Sequence, residues 1–317
     1  MVRTERWRGP ATSLLWILAV AFAYGATGLL GLLQRVEVAG AAVTPLWLPT
    51  GIALAALLTL GLRIWPGIAL GAGFVIHTLS AFEAVDFAIV AGNTLAPIAA
   101  YALLRRAGFR NELDRLRDGL ALVFLGGLLP MLVSATVGTW VLVLTDNLPA
   151  ARSWPVWWAW WAGDAMGVLV GTPLLLVLRR IGPVRDPYRA VEAAALVASV
   201  VLVTLLATRS PLSVLFLVFP LLIWAAVRFQ LAGAAPCVLI VSVLSISAAI
   251  DHAGPFARHT LAEVMVNLQA LNGSAALTAL LLSALVTEQN NVRRKIERAC
   301  EELAELVARL PRGRSPD

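Results

Sequence analysis

The stretch WWAWWAGDAMGVLVGT, Trp157–Thr172, decides how the rest of the chain is read. It opens with four tryptophans in five residues, places an aspartate directly after Gly163, and then runs apolar for two helical turns. A carboxylate costs little in water and a great deal in oil. The solvent around this helix therefore has to be settled before the role of Asp164.

The chain has 317 residues, of which 59% are hydrophobic and 14% charged, and its mean hydropathy is +0.81. Soluble domains carry about 25% charged residues and about 45–50% apolar ones. Here the apolar residues come in runs, and about 20 helical residues cross a bilayer core about 30 Å thick. Ten such runs are present: 12–33, 46–62, 65–81, 85–104, 119–144, 155–178, 190–207, 211–227, 231–250 and 261–287. Only Arg228-Phe229-Gln230 separates the eighth from the ninth. The expected fold is all-α, a polytopic transmembrane bundle of about ten spans. It divides into an N-terminal segment (1–11), a membrane domain (12–287) and a helical tail (288–317) that holds no output domain.

The charges are arranged by side. Of 25 Lys and Arg, 21 fall on one face of the bundle, while Arg35, Arg152, Arg209 and Arg258 fall on the other. Positive loops mark the cytoplasm, which puts both termini there in the plasma membrane and requires an even number of spans. The basic pI then reports topology and contact with the lipid bilayer, and no nucleic-acid partner is expected. The first apolar run is too long for a cleaved signal. Cys237 and Cys300 lie too far apart in depth to pair, and no metal-ligand spacing occurs.

An ionisable group at bilayer depth costs at least about 2.5–3.5 kcal/mol, so it faces protein or a cavity. Asp164 lies near the middle of its span, beneath tryptophans suited to the membrane interface. Gly163, Gly167 and Gly171 recur every four residues, which invites close approach by another helix. Asp164 is either a structural hydrogen-bond partner or a site for a ligand, ion or proton. Asn93, Thr50, Trp47 and Trp161 are candidate companions, joined by Glu263 and Asn267 of the last span. These last two share a helical-wheel stripe with Ser274 and Thr278 that is expected to face protein or water. Glu83 and Asp86 read as plain surface residues, and His77 as an interface histidine rather than a proton relay.

After Thr287 the chain turns polar, with apolar residues at Val292, Ile296, Ala299, Leu303, Leu306 and Leu310. Steps of four and three make an a/d seam with charged flanks, either a parallel coil or an amphipathic helix on the membrane.

Three segments taken together, LPTGIALAALLTLGLRIWPGIALGA (48–72), AGNTLAPIAAYALLRRAG (91–108) and WWAGDAMGVLVGTPLLL (160–176), resemble the membrane-associated sensor domain of the first type, the MASE family. Pro49, Gly51, Trp65, Pro66, Gly67, Gly71, Asn93, Gly163, Asp164, Gly167, Thr172 and Pro173 stand at its recurring positions. The resemblance spans about 12–287. It implies a bacterial sensory module that passes a cue down its last helix, usually to a histidine kinase or diguanylate cyclase.

The expectation is a non-enzymatic signalling protein without cofactor or metal. It would relay an intramembrane or periplasmic cue to a homodimer through 288–310, or to a separate histidine kinase or cyclase of a two-component type. Two alternatives stay open: a small-molecule or ion transporter, and a truncated kinase or cyclase.

Overall fold

A chain in oil must satisfy its backbone within itself, and each of the ten apolar runs contains helix among its described residues. The computed structural model describes residues 10–38, 40–79, 83–180, 186–210, 214–257 and 259–309. In order these are α1 (Pro10–Leu32), a hairpin of β1 (Val36–Val38) and β2 (Ala41–Val43), α2 (Leu48–Leu60), α3 (Trp65–Leu79) and α4 (Asp86–Arg106). There follow α5 (Leu116–Ala121), running on as a π-helix through Leu128, then α6 (Met131–Leu144) and α7 (Ser153–Leu178). The chain continues with α8 (Pro187–Arg209), α9 (Val218–Ile250) and α10 (Leu261–Arg309). Among the described residues, eight helical segments are long and apolar enough to cross a membrane. The protein is an all-α polytopic bundle. Most of segment 1–11, together with Leu310, lies outside the described residues.

Two features refine the span count. α9 is broken at Gln230, whose φ of 50° is not helical. Its contacts show that it doubles back there. Arg228 bonds Glu192 near the start of α8 at 2.7 Å, and the Arg189 guanidinium sits over the Phe229 ring. Asp251, at the far end of α9, instead approaches Arg209 at the other end of α8, at 3.9 Å. The eighth and ninth runs are thus two arms joined at Arg228-Phe229-Gln230. α2 differs in the opposite sense. With 13 residues it rises only about 20 Å, short of a full crossing.

The loop between the first two spans, expected as a plain connection, carries the β1–β2 hairpin, paired Val36 to Val43 and Val38 to Ala41. From it residues 43–47 descend into the bundle, because Trp47 N donates to Gly163 O at 3.0 Å. Gly163 is ten residues into α7, so α2 begins about 15 Å down.

Glycines fix how α2 and α7 meet. A Cβ on Gly51 would collide with the Gly167 carbonyl, and one on Gly167 with the Trp47 carbonyl. Across the seam Thr50 Oγ donates to Asp164 O at 3.0 Å and Thr172 Oγ to Gly51 O at 3.1 Å. Interhelical bonds in membranes contribute about 0.6 kcal/mol each, so these and the Trp47 bond contribute about 2 kcal/mol. α3 packs on α1 by the same device: Gly67 abuts the Ile17 carbonyl and Gly71 the Tyr24 side chain. Pro49 is buried at the start of α2, Pro173 is buried within α7, Pro66 follows the first residue of α3, and Trp65 is half exposed.

The basic end of the bundle is tied by its own loop. Arg115 chelates buried Asp118, Asn111 Nδ2 donates to Leu58 O at 2.9 Å, and Leu116 N donates to Glu288 of α10 at 2.9 Å. The Arg180 guanidinium bonds Glu112 and holds its carboxyl below the ordinary 4.5.

Candidate functional site

Asp164 is 1% exposed. Ser134 of α6 donates a short hydrogen bond to its Oδ2, while Oδ1 has no hydrogen-bond partner. The Trp160 indole lies beside the carboxylate. The first turn of α2 packs against the same turn of α7, where Thr50 donates to the backbone carbonyl of Asp164.

Above Asp164 lies a cavity of about 450 Å³, lined by residues from α1, the hairpin, the 43–47 descent, α3, α4, α6 and α7. Its polar lining includes Asp164, Asn93, Tyr24, Trp47 and Trp160, with Asp86 and Asn147 from the loop-bearing end opposite the basic loop. Gly40 takes φ +94° in the hairpin that forms part of the wall. The volume is in the range of small-molecule sites. Three buried polar atoms around it are unpartnered: Asp164 Oδ1, Asn93 Oδ1 and the Tyr24 hydroxyl. Buried polar groups are hydrogen-bonded in the large majority of cases, so three orphans at one cavity are notable. Among the described residues, no group of three or more His, Cys, Asp or Glu side chains could hold a metal ion.

The structure brings together Asp164, Asn93 and Trp47 of the sequence candidates. Thr50 is buried beside them, but its hydroxyl is engaged with the Trp47 and Asp164 carbonyls at 2.7 and 3.0 Å, so it locks helices rather than facing the cavity. Three candidates lie elsewhere. Trp161 turns toward α6, where its Nε1 donates at 2.7 Å to the Leu128 carbonyl. That carbonyl is free because Pro130 breaks the helix and Leu132 N bonds Leu129 O instead.

Glu263 caps α10, accepting from Thr260 N at 2.7 Å, and is exposed. Asn267 is exposed too, as is Ser274, so the stripe faces out of the bundle rather than into it. A wheel shows which residues share a face and not which way that face points. The inward polar residues of α10 include Gln269, Asn272 and Ser283. Gln269 Nε2 donates to Pro45 O at 2.9 Å, two residues from Trp47.

Sequence reasoning missed Tyr24, Ser134, Trp160 and Gln269. Tyr24 had a signal, a phenol in an otherwise apolar first span; Ser134 had none. Asp86, read as plain surface, lines the cavity mouth. His77 is exposed near the end of α3.

The seam residues Val292, Ile296, Ala299, Leu303 and Leu306 are all exposed, in phase with Leu285 and with the outward face carrying Ser274 and Asn267. α10 is one helix of 49 residues, about 73 Å long.

A polytopic helical bundle with an acid beneath an end-on cavity, and a last helix running on as an amphipathic stalk, defines an integral-membrane protein of the sensor-domain class. The MASE1 family model matches residues 14–290, and the chain belongs to that family. It is 28% identical over 200 residues to a protein of Escherichia coli (strain K12) named "Probable diguanylate cyclase DgcE". The match covers 60% of this chain and 17% of that protein, so the chain spans less than a fifth of the relative's length. No solved structure matches the chain.

Proposed function

We propose that the chain is a non-enzymatic sensory module. A cue enters the cavity from the face opposite the basic loops, and its occupancy is read out by α10. The basic loops and both termini lie in the cytoplasm, following the distribution of Lys and Arg. One observation carries the reading: α10 is bonded through Gln269 to Pro45, beside the cavity residues Thr44 and Trp47, and runs unbroken to the exposed seam.

A second physical route supports it. α2 begins at Trp47, its Leu58 carbonyl is held by Asn111, and the same loop binds Glu288 of α10 through Leu116 N. Displacement of α2 along or about its axis is therefore felt at both ends of α10's membrane portion.

The occupant of the seam is a second copy of this chain. A parallel dimer pairs each a/d position with itself. It would also cover the outward Asn267 and Ser274, which are costly against lipid. An output enzyme, such as the cyclase after which the Escherichia coli relative is named, would be driven by the register of that coil. It would act as a partner or as a following domain.

Single cysteines at Val292, Ile296 and Leu303, in a Cys300→Ser background, are expected to crosslink between protomers in membranes. Cysteines at Arg294 and Glu301, on the outer face, are not. The pattern should shift when the cavity is altered by Trp47→Leu. Equal crosslinking at all five positions, or none at any, contradicts the relay.

A further inference from the structure

We infer that the cavity is a receptor site for a small organic ammonium, a protonated amine entering from the face opposite the basic loops. The inference rests on the reading of this cavity as the cue site and names the chemistry of the cue.

Among the described lining residues two carry a carboxyl group, Asp164 at the floor and Asp86 at the mouth. Among the described residues, the lining has no Lys, Arg or His. A buried carboxylate needs a partner, or its desolvation goes uncompensated. Ser134 donates to Oδ2 of Asp164 and the Trp160 indole stands beside the carboxylate as a second donor, while Oδ1 and the Asn93 carbonyl-type oxygen have no hydrogen bond. Both are acceptors and call for donors. An ammonium carries up to three donors and the compensating charge.

The aromatic lining narrows the class. Tyr24, Trp47 and Trp160 surround the same floor, and the Tyr24 hydroxyl lies near Trp47 and within electrostatic reach of Asp164. Ring faces attract alkylammonium groups by their quadrupoles. A bare alkali or alkaline-earth ion would instead ask for a shell of about six or more oxygens, which this lining of aromatic and aliphatic side chains does not offer. Anionic ligands are disfavoured by both carboxylates.

The three orphan atoms lie just beneath the cavity surface, each almost inaccessible to water. An ammonium reaching them has to displace a covering side chain. Trp47 is the lining residue that begins α2, so occupancy and helix movement share one residue.

The test uses the full chain in lipid nanodiscs. Tryptophan fluorescence and thermal unfolding are followed with ethanolamine, putrescine and tetramethylammonium chlorides as probes, and with sodium chloride, potassium chloride and sodium propionate as controls. At least one ammonium is expected to bind saturably and raise the Tm, while the controls at equal ionic strength do not. Asp164→Asn should raise its Kd about 30-fold or more. Trp47→Leu should raise it about 2- to 30-fold, the range of a lost cation–π contact. If Asp164→Asn does not fold, Asn93→Leu and Trp47→Leu carry the comparison.

Saturable binding of propionate or of sodium ion alone overturns the proposal. So does the absence of binding by all three ammonium probes, or ammonium binding that Asp164→Asn leaves unchanged. Ammonium binding without any change in seam crosslinking removes the relay and keeps this site. A crosslinking response to propionate does the reverse.

Discussion

α7 and α10 are both long, both carry polar residues at membrane depth, and meet the rest of the bundle in opposite ways. The most apolar window of α7 is 67% buried, against 44% for α10. α7 is the post on which α2 hangs, and its acid points into protein. α10 has a packed face toward α7 and α9, while an outward face carries Asn267 and Ser274 down to an exposed seam. The two helices differ in which of their polar residues are committed within the chain. Asp164 has its environment fixed by backbone-to-backbone contact and by Ser134. Asn267 is exposed within the single chain, and no helix of the bundle covers it among the described residues.

The largest effect that would break this contrast falls on the α2–α7 seam. Gly167→Leu drives a side chain into the Trp47 carbonyl and Thr50 Oγ, and overpacking costs typically 1–3 kcal/mol or more. Loss of monodisperse protein, or a Tm lower by many degrees, is expected on size-exclusion and thermal unfolding. The matched change on the outward face, Ser274→Leu, should leave the monomer's Tm nearly unchanged. Equal effects would show that α10 is as enclosed as α7.

A smaller effect separates packing from relay. Gln269→Leu removes the bond to Pro45, a net loss of about 1 kcal/mol. It should abolish the change in seam crosslinking produced at the cavity while leaving the basal crosslinks in place. Ile296→Asp should do the opposite, dissociating the seam with the cavity intact, as read by tryptophan fluorescence.

The smallest expected effect lies at the basic end. Arg180 holds the Glu112 carboxyl below its ordinary value, so the pair's contribution is complete above about pH 4.5. It is lost as pH falls through the lowered value. Both side chains are about half exposed, and such pairs contribute about 0–1 kcal/mol. Glu112→Gln should therefore lower the Tm slightly at pH 7 and not at all well below pH 4. A growing difference on acidification would contradict the assignment.

Much of the fold was legible in the sequence because hydrophobic run length and basic loops are one-dimensional signals. Each of the ten runs contains helix among its described residues, and the weakest boundary, at Arg228-Phe229-Gln230, is a true reversal. Gly163, Gly167 and Gly171 sit against the 44–51 segment as their spacing suggested, since a close approach leaves a mark at every fourth residue. The site was only half legible. Asp164, Asn93 and Trp47 converge, but Trp161 serves a carbonyl freed by Pro130, and Glu263 and Asn267 face away. Helical phase relative to neighbours is set by packing partners on other helices, and no single span records it. Ser134 could not have been found, for a serine in a span is as often bonded to its own backbone.

The proposed relay requires the cavity mouth and the seam to lie on opposite faces of one membrane, and the chain supplies its own probe, since Cys300 is exposed on the tail and Cys237 is buried. A membrane-impermeant maleimide applied to intact cells should label Asn147→Cys in a Cys300→Ser background, and should label Cys300 of the unaltered chain only after the membrane is opened. Labelling of both cysteines from the same side would contradict it.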